Sequence, residues 1–320
     1  AFGFSAAQIG ALLTADMAAG TFASLSARFW IHRLPWRPAV FGSVCATALF
    51  NLACIGASDF SSLLVLRCGA GFAAGMMMAF PYAAFAAATN PDREFSIALA
   101  SQVAMGAAAI ALATSLRQHH GSDAVFLMTA VLTLLPMLFI TKCPKQNPGF
   151  GEDDGERLQP VTQYVAWGLL AIALFMTALT GVWAFVERIA TDQGFDDTLI
   201  GLVFSGSLLF SFFGAIAPAA IGHADWRKWL IPGAYAILVL AILGLGNPKI
   251  AFVFAISLAV YQFFFSFVMP LQAAWIASTD ATGRNAVLIP VAQGVGAALG
   301  PLVAGLAASR WGYVLSLIHI

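Results

Sequence analysis

The chain has 320 residues, of which 60% are hydrophobic and only 9% are charged. Soluble domains carry about 25% charged residues, so this composition excludes an ordinary soluble protein. Fifteen basic and fifteen acidic residues give a formal net charge of zero, which offers no electrostatic basis for binding nucleic acid. The four cysteines show no metal-ligand spacing, and we expect no disulfide framework and no metal site.

Ten apolar stretches follow one another along the chain, each close to the roughly 20 residues that a helix needs to cross a membrane. Because the bilayer offers the backbone no hydrogen-bond partners, such stretches are expected to be helical. The sequence therefore predicts an all-α polytopic membrane protein. The predicted spans are Ser5–Ala27, Pro38–Ala57, Leu63–Ala88, Phe95–Leu116, Ala124–Ile140, Val161–Val186, Leu199–Ile221, Trp229–Gly246, Ile250–Trp275 and Ala286–Ala308.

The basic residues are distributed unevenly between the two sets of loops. Ten lie in one set and four in the other, while Arg67 lies within a span. Cytoplasmic loops are enriched in Lys and Arg, so we expect the richer set, which includes the polar stretch 142–160, to be cytoplasmic. This orientation places residue 1 on the outer side of a cell (inner) membrane.

The chain contains an internal repeat with an offset of 191 residues. Residues 3–10 share a Gly-Phe and Ile-Gly pattern with residues 194–201, and residues 93–102 share an Arg and Gln pattern with residues 284–293. Two separate matches with one offset favour a true repeat over chance similarity in an Ala-rich chain. An even number of spans separates the copies, so the repeats are parallel.

The repeat predicts two parallel halves of six helices, of which this chain would hold the second to the eleventh. The first copy has no counterpart of the span that precedes residue 194, and the second has no counterpart of span 124–140. The chain also has no initiating Met. The predicted parts are an N-terminal half (1–141), a cytoplasmic linker (142–160), a C-terminal half ending in the start of a twelfth helix (161–314), and a tail resembling a translated sequencing adapter (315–320).

Six plus six helices joined by a polar cytoplasmic loop resemble the layout of the major facilitator superfamily. The family carries Arg-x-x-x-Gly-x-x-x-Gly in its fourth helix, and Arg67, Gly71 and Gly75 show this pattern here. The resemblance covers essentially the whole chain. It implies a transporter fold and gives Arg67 a role in coupling.

Further family motifs are retained unequally. The loop motif with Asp-Arg is kept better in the second half than in the first, where Ala27-Arg28 replaces it. A Gly-Pro motif lies in the last span, whereas the antiporter signature belongs in the family's fifth helix and is not found there. This weakens an assignment as a drug–proton antiporter. The motif residues are Asp225, Arg227, Gly296, Gly300 and Pro301.

Two charged side chains lie within predicted spans, where charges are costly and tend to face the interior of a helix bundle. Asp16 is central in its span and is suited to binding a proton or a substrate cation, or else to holding two helices together. Arg67 is either a coupling residue, a partner of Asp16, or a side chain that reaches the outer interface. Gly71 and Gly75 share its helical face and would let another helix approach closely.

Neutral polar side chains within the spans are candidates for solute binding. Gln102 and Gln293 are related by the repeat, and an amide can donate and accept hydrogen bonds; the alternative is a bond between helices. Asn51 is interpreted as structural, and the Glu187-Arg188 pair as an interfacial ion pair or a gate. Further candidates for the solute site are Tyr82, Tyr261, Gln262 and Gln272.

The expected function is secondary active transport of a small polar or amphipathic solute by alternating access, coupled to a proton or cation through Asp16 and Arg67. The chain has no Gly-x-x-x-x-Gly-Lys-Ser/Thr loop for ATP, and we expect no cofactor. The expected partners are the solute, the ion and the lipid bilayer, with the transporter acting as a monomer. The alternatives are a membrane-embedded enzyme, which would need a nucleophile–base pair or a metal cluster within the spans, and a non-transporting sensor on a transporter fold.

Overall fold

A computed structural model describes residues 6–57, 59–146, 161–221, 229–246, 250–279 and 284–319. In this part of the chain every regular element is helical, with nine helices interspersed with short 3-10 turns. The helices are α1 (Ala6–Trp30), α2 (Trp36–Ala53), α3 (Phe60–Ala86), α4 (Pro91–Leu134), α5 (Gln163–Asp192), α6 (Asp197–Ile221), α7 (Leu230–Gly246), α8 (Ala251–Thr279) and α9 (Ile289–His319).

Helix α4 contains two of the ten predicted spans. Gly121 interrupts it with φ 80° and ψ −171°, a conformation that glycine adopts readily because it has no Cβ. The two arms of α4 correspond to two helical segments that are apolar enough to cross a membrane, Pro91–Ala113 and Asp123–Lys142. The second segment ends in a 3-10 turn. Each of the ten predicted spans therefore corresponds to one helical segment.

Eight of these segments have the length and hydropathy needed to cross a membrane. The other two are the 17-residue α7 and α1, which carries Asp16 near its middle. The predicted all-α polytopic class is confirmed. Helix α9 continues to His319. The assignments of 312–314 to the start of a twelfth helix and of 315–320 to an adapter-derived tail remain predictions. The cytoplasmic linker also remains a prediction, and its residues 147–160 lie outside the described part.

The chain forms two compact units, each assembled from three segments. The first comprises Ala1–Ala88, Ala108–Val165 and Ala277–Gly294. The second comprises Thr89–Ala107, Ala166–Ile276 and Val295–Ile320. The predicted halves, divided by residues 142–160, are a different partition of the chain and remain a prediction.

In the first unit, α3 packs against both α1 and α2. An aromatic cluster fixes the turn between α1 and α2, because Trp36 meets Phe80 edge-on with ring centroids 5.4 Å apart. Its indole N–H also donates to the carbonyl of Ile31 at 2.8 Å, which satisfies its polar atom within an apolar core. Val287, in the 3-10 turn before α9, is buried in the same cluster.

The start of α3 is capped by Asp59, whose carboxylate accepts a bond from the Ser62 backbone N–H at 2.9 Å. Such a cap satisfies one of the N–H groups that the first turn of a helix leaves without an intrahelical partner. Hydrogen bonds from Ser62 lower the pKa of Asp59. The capped end is the end of α3 that lies nearer to Arg67.

Candidate functional site

Arg67 of α3 and Asp16 of α1 form an ion pair within the first unit. The Nη2 atom of Arg67 donates to Oδ2 of Asp16 at 2.9 Å. The side chains keep only 26% and 27% of their exposure, so pairing offsets much of the cost of placing each charge among apolar helices. The sequence left three arrangements open for Arg67, and the structure shows the one in which Arg67 pairs with Asp16.

Asn51 of α2 is the second partner of Arg67. Its Oδ1 accepts a bond from Arg67 Nη1 at 3.0 Å, and its Nδ2 donates to the Thr47 carbonyl at 2.9 Å. The Asn51 side chain is buried, so its amide is almost fully committed to these two bonds. The guanidinium is thereby held between α1 and α2, and Asn51 becomes a functional candidate that sequence interpretation had treated only as structural.

The second oxygen of Asp16, Oδ1, is buried and has no hydrogen-bond partner among the described residues. A buried acceptor without a donor costs about 1–3 kcal/mol. A proton on Oδ1 would turn that oxygen into a donor and would remove the carboxylate charge, while Oδ2 stays within reach of Arg67. The cluster of Asp16, Arg67 and Asn51 therefore holds one buried acceptor that is open to a further donor.

Glycines bring the backbones of α1 and α3 into contact beside this cluster. A Cβ at Gly71 would lie 2.1 Å from the carbonyl oxygen of Asp16, and a Cβ at Gly75 would lie 2.2 Å from that of Gly20. Side chains at these positions would push α1 away from α3. Because the ion pair spans the same interface, its 2.9 Å geometry depends on this close approach.

Three contacts join α1 and α3 to the beginning of α9 and the turn before it. The Tyr82 hydroxyl donates to Oε1 of Gln293 at 3.2 Å. Gly294 lies against α1, since a Cβ there would be 2.7 Å from Oγ1 of Thr21. Arg28 Nη1 donates to Oδ1 of Asn285. Two of the predicted solute-site residues are thus brought together, and Asn285 is a residue that the sequence did not single out.

Two of the four candidates in the second unit, Tyr261 and Gln272, are hydrogen-bonded within it. Tyr261 is 2% exposed, and its hydroxyl donates to the Leu179 carbonyl at 2.6 Å. Gln272 donates from Nε2 to the Tyr235 hydroxyl at 2.6 Å. Gln262 is buried, whereas Gln102 is exposed and has no bonded partner among the described residues. Their assignment to a solute site remains a prediction.

Helix α9 approaches α5 at two glycines of the predicted motif. A Cβ at Gly296 would lie 2.4 Å from the carbonyl of Ala173, and one at Gly300 would lie 2.1 Å from Oγ1 of Thr180. Pro301 lies within the same helix. The motif residues Asp225 and Arg227 lie outside the described residues.

The ion pair expected between the neighbours Glu187 and Arg188 is wrong in its partner. Arg188 Nε lies 3.5 Å from Oδ1 of Asp192. Residues four apart on a helix lie on the same face and adjacent residues do not, which explains why Arg188 pairs with Asp192 and not with Glu187. With side chains 65% and 47% exposed, this pair contributes little to stability.

A profile of the Major Facilitator Superfamily matches residues 1–301. The chain belongs to the Major Facilitator Superfamily. It is therefore a multi-pass membrane protein, and the fold of two parallel helical halves predicted from its repeat is the fold of this superfamily. No curated protein matches the chain in sequence.

Solved transporters of the superfamily resemble the chain in structure. The human organic anion transporter MFSD10 (TETRAN) has a TM-score of 0.76 and 17% identity, over 98% of this chain and 79% of that one. FucP in the outward conformation has a TM-score of 0.79 and 13% identity, over 99% of this chain and 87% of that one. A further structure, that of a variant of the E. coli fucose:proton symporter FucP, has a TM-score of 0.78 and 13% identity, over 97% of this chain and 87% of that one. At these identities the resemblance is one of fold.

Proposed function

We propose that this superfamily member is a secondary transporter that moves a small solute across the membrane by alternating access, with a proton bound at Asp16. The observation that carries the proposal is the unpartnered Oδ1 of Asp16 within the ion pair that joins α1 to α3. A structural ion pair would be expected to satisfy both carboxylate oxygens. An open oxygen beside a held guanidinium is instead suited to a site that changes its protonation.

Proton binding would change the α1–α3 interface in a defined way. Protonated Asp16 loses its charge, and its bond with Arg67 weakens because charge-assisted bonds are about twice as strong as neutral ones. Arg67 stays bound to Asn51 at 3.0 Å, so the freed element is α1. A ligand shifts a conformational equilibrium only when it binds the two states differently, and this change in bonding supplies that difference for the proton.

The solute site that the contacts favour includes Tyr82 and Gln293. Their 3.2 Å hydrogen bond joins α3 to α9, and a solute hydroxyl or amide could replace either partner without leaving a buried polar atom unbonded. The site would therefore take a small polar or amphipathic molecule. Gln102, Tyr261, Gln262 and Gln272 remain candidates on other helices of the same fold.

The test is solute-driven proton movement in proteoliposomes that hold a pH-sensitive dye. A screen of small polar solutes should find one that acidifies or alkalises the lumen with the wild-type protein. Asp16→Asn should lower this signal by about 5-fold to 150-fold, the factor that corresponds to a typical coupling free energy, while protein yield stays unchanged. Asp59→Asn is the matched control, because Asp59 is an exposed helix cap outside the ion pair.

The possible results of this assay distinguish a coupling role for Asp16 from a structural one, and transport from sensing. A normal pH profile of transport in Asp16→Asn would remove the coupling role from this residue. Loss of proton movement with solute uptake retained would confine Asp16 to coupling. Solute binding without any uptake by the wild type would contradict transport and favour a sensor on a transporter fold.

A further inference from the structure

An apolar groove of about 600 Å³ runs between α2 and α3 in the first unit. Ser43 is the one polar residue of its lining among the described residues, and its hydroxyl already donates to the Ala39 carbonyl at 2.8 Å. The groove thus presents hydrocarbon without a free hydrogen-bonding group. Its lining includes Leu34, Pro38, Ala46, Phe50, Phe72 and Met76.

Two glycines determine the shape of this groove. A Cβ at Gly42 would meet nothing within 4 Å, so the missing side chain leaves space open along α2. A Cβ at Gly69 would lie 2.5 Å from the ring of Phe50, which therefore packs directly on the α3 backbone. The groove is open at Gly42 and is bounded by the Phe50 ring at Gly69.

The groove lies along two helices that are long and apolar enough to cross the membrane. At this depth water has no polar partner in the groove to hold it. Pockets that bind small molecules commonly have volumes of about 300–1,000 Å³, and this groove falls within that range. A hydrocarbon chain from the surrounding bilayer is the occupant that its lining fits.

The end of the groove at Leu34 is strongly basic. Exposed Arg33 precedes Leu34, and Arg37 follows it on the first turn of α2. Arg37 donates to the carbonyls of Cys143 and Thr141, both at 2.8 Å. The bonds draw the segment 141–145, with its two lysines, to the same end of the unit.

A second contact closes this basic end. The Trp36 backbone N–H donates to the Lys145 carbonyl at 2.9 Å. Arg37 uses Nε and Nη2 in its carbonyl bonds and keeps its other guanidinium donors. Residues 30–40 and 141–146 contain no Asp or Glu, so the four cations here have no acidic neighbour within these two segments.

We propose that the groove and its basic end bind an anionic membrane phospholipid. One acyl chain would lie between α2 and α3, and the phosphate would be held by Arg33 with support from Arg37, Lys142 and Lys145. Basic pockets between membrane helices on the cytoplasmic side suit such headgroups, and the positive-inside prediction puts these residues on that side. The site is independent of the proposed transport function, although its lining residue Phe50 is adjacent to Asn51.

The test compares lipids retained by the purified full-length chain in native mass spectrometry, after reconstitution in equal mixtures of phosphatidylglycerol and phosphatidylcholine. The wild type should retain one phosphatidylglycerol in preference. Arg33→Gln should reduce that preference about fivefold, since each basic residue near the headgroup contributes a factor of this size. Equal retention of both lipids by the wild type would overturn the proposal.

Gly42→Phe tests the groove, because a ring there enters open space and would displace the acyl chain. Its matched control is Gly233→Phe: Gly233 lies 191 residues later, on α7, and a Cβ there also meets nothing within 4 Å. Retention should fall in the first variant and stay at the wild-type value in the second. Wild-type retention in folded Gly42→Phe would contradict the groove as the site.

A photoreactive phosphatidylglycerol with its label in the acyl chain provides a readout that needs no variant. Labelling should map to α2 and α3 in the wild-type protein. If a further helix or a second copy of the chain covers the groove, labelling will miss both helices and the proposal fails. Competition by glycerol 3-phosphate that equals competition by unlabelled lipid would likewise overturn the role of the acyl chain.

Discussion

Two helix pairs related by the 191-residue repeat are joined in different ways at one equivalent pair of positions. In the α1–α3 pair, Gly75 faces the backbone of Gly20, with a built Cβ 2.2 Å from its oxygen. The residues 191 positions later are Ser266 and Ser211 of the α8–α6 pair, and their hydroxyls share a hydrogen bond of 2.6 Å. The repeat therefore preserves which positions meet and changes what joins them.

The charged cluster exists in only one of these pairs. The counterparts of Asp16 and Arg67 at the same offset are Ser207 and Leu258. Ser207 donates to a carbonyl of its own helix at 2.7 Å, and Leu258 is fully buried. Helix packing is thus common to both repeats, whereas the ion pair of Asp16 and Arg67 is found in one of the two pairs.

The largest expected effect comes from removing the close approach itself. Gly71→Leu places a side chain where even a Cβ would be 2.1 Å from a carbonyl of α1. Overpacking of this kind costs typically about 1–3 kcal/mol and occasionally more, and here it also separates the ion pair. Gly214→Leu should be equally damaging in the second pair, because a Cβ there would lie 2.0 Å from the Phe263 carbonyl.

The yield of monodisperse protein and its thermal unfolding in detergent measure both variants. Gly201→Leu is the control on α6, since a Cβ at Gly201 meets nothing within 4 Å. If Gly71→Leu unfolds at the control's temperature, the contact between α1 and α3 is not what holds the pair together.

The next effect separates charge from packing. Arg67→Leu copies the second pair at one position and leaves the Asp16 carboxylate without a partner, which should cost about 2 kcal/mol, below the value for a fully buried pair because a quarter of each side chain is exposed. The double variant Asp16→Ser with Arg67→Leu copies the second pair completely and should recover most of that loss.

Thermal unfolding at neutral pH gives the stability of both variants, and proton movement in proteoliposomes gives their coupling. The double variant should be stable and uncoupled. A double variant that is as unstable as Arg67→Leu would mean that the charges are needed for packing, and retained proton movement would place coupling outside this cluster.

Hydropathy and the repeat could predict the helices, because each depends on composition along one segment. They could not predict that Asn51 holds Arg67, since this requires the rotation of α2 about its axis relative to α3. The sequence did predict a break between spans 95–116 and 124–140, but it could not predict that Gly121 alone would form it, because the short polar stretch between them contains no proline. Contacts such as Tyr82 to Gln293 join positions 211 residues apart, and no local pattern specifies them.

A smaller effect is expected where the repeat relates two amides. Gln293→Leu should raise the apparent KM for the solute about fivefold, since it removes one hydrogen-bonding side chain, the present partner of the Tyr82 hydroxyl, from the proposed solute site. Gln102→Leu should have the same effect only if both repeats contribute to the site. Transport assays over a range of solute concentrations measure both, with Tyr82→Phe as the partner variant, and an unchanged KM in all three would reduce these side chains to packing.

The smallest effect should come from the hydroxyl bond that replaces the glycine contact in the second pair. Ser266→Ala removes one partner of the 2.6 Å bond to Ser211 and should destabilise the protein by about 1 kcal/mol, a fall of a few degrees in unfolding temperature for a domain of this size. Ser205→Ala, on the exposed side of α6, should change nothing. Transport should be unaffected by either variant, because no charge moves in this pair. A change in the pH dependence of transport in Ser266→Ala would show that the uncharged pair takes part in coupling, and the two repeats would then differ in degree instead of in kind.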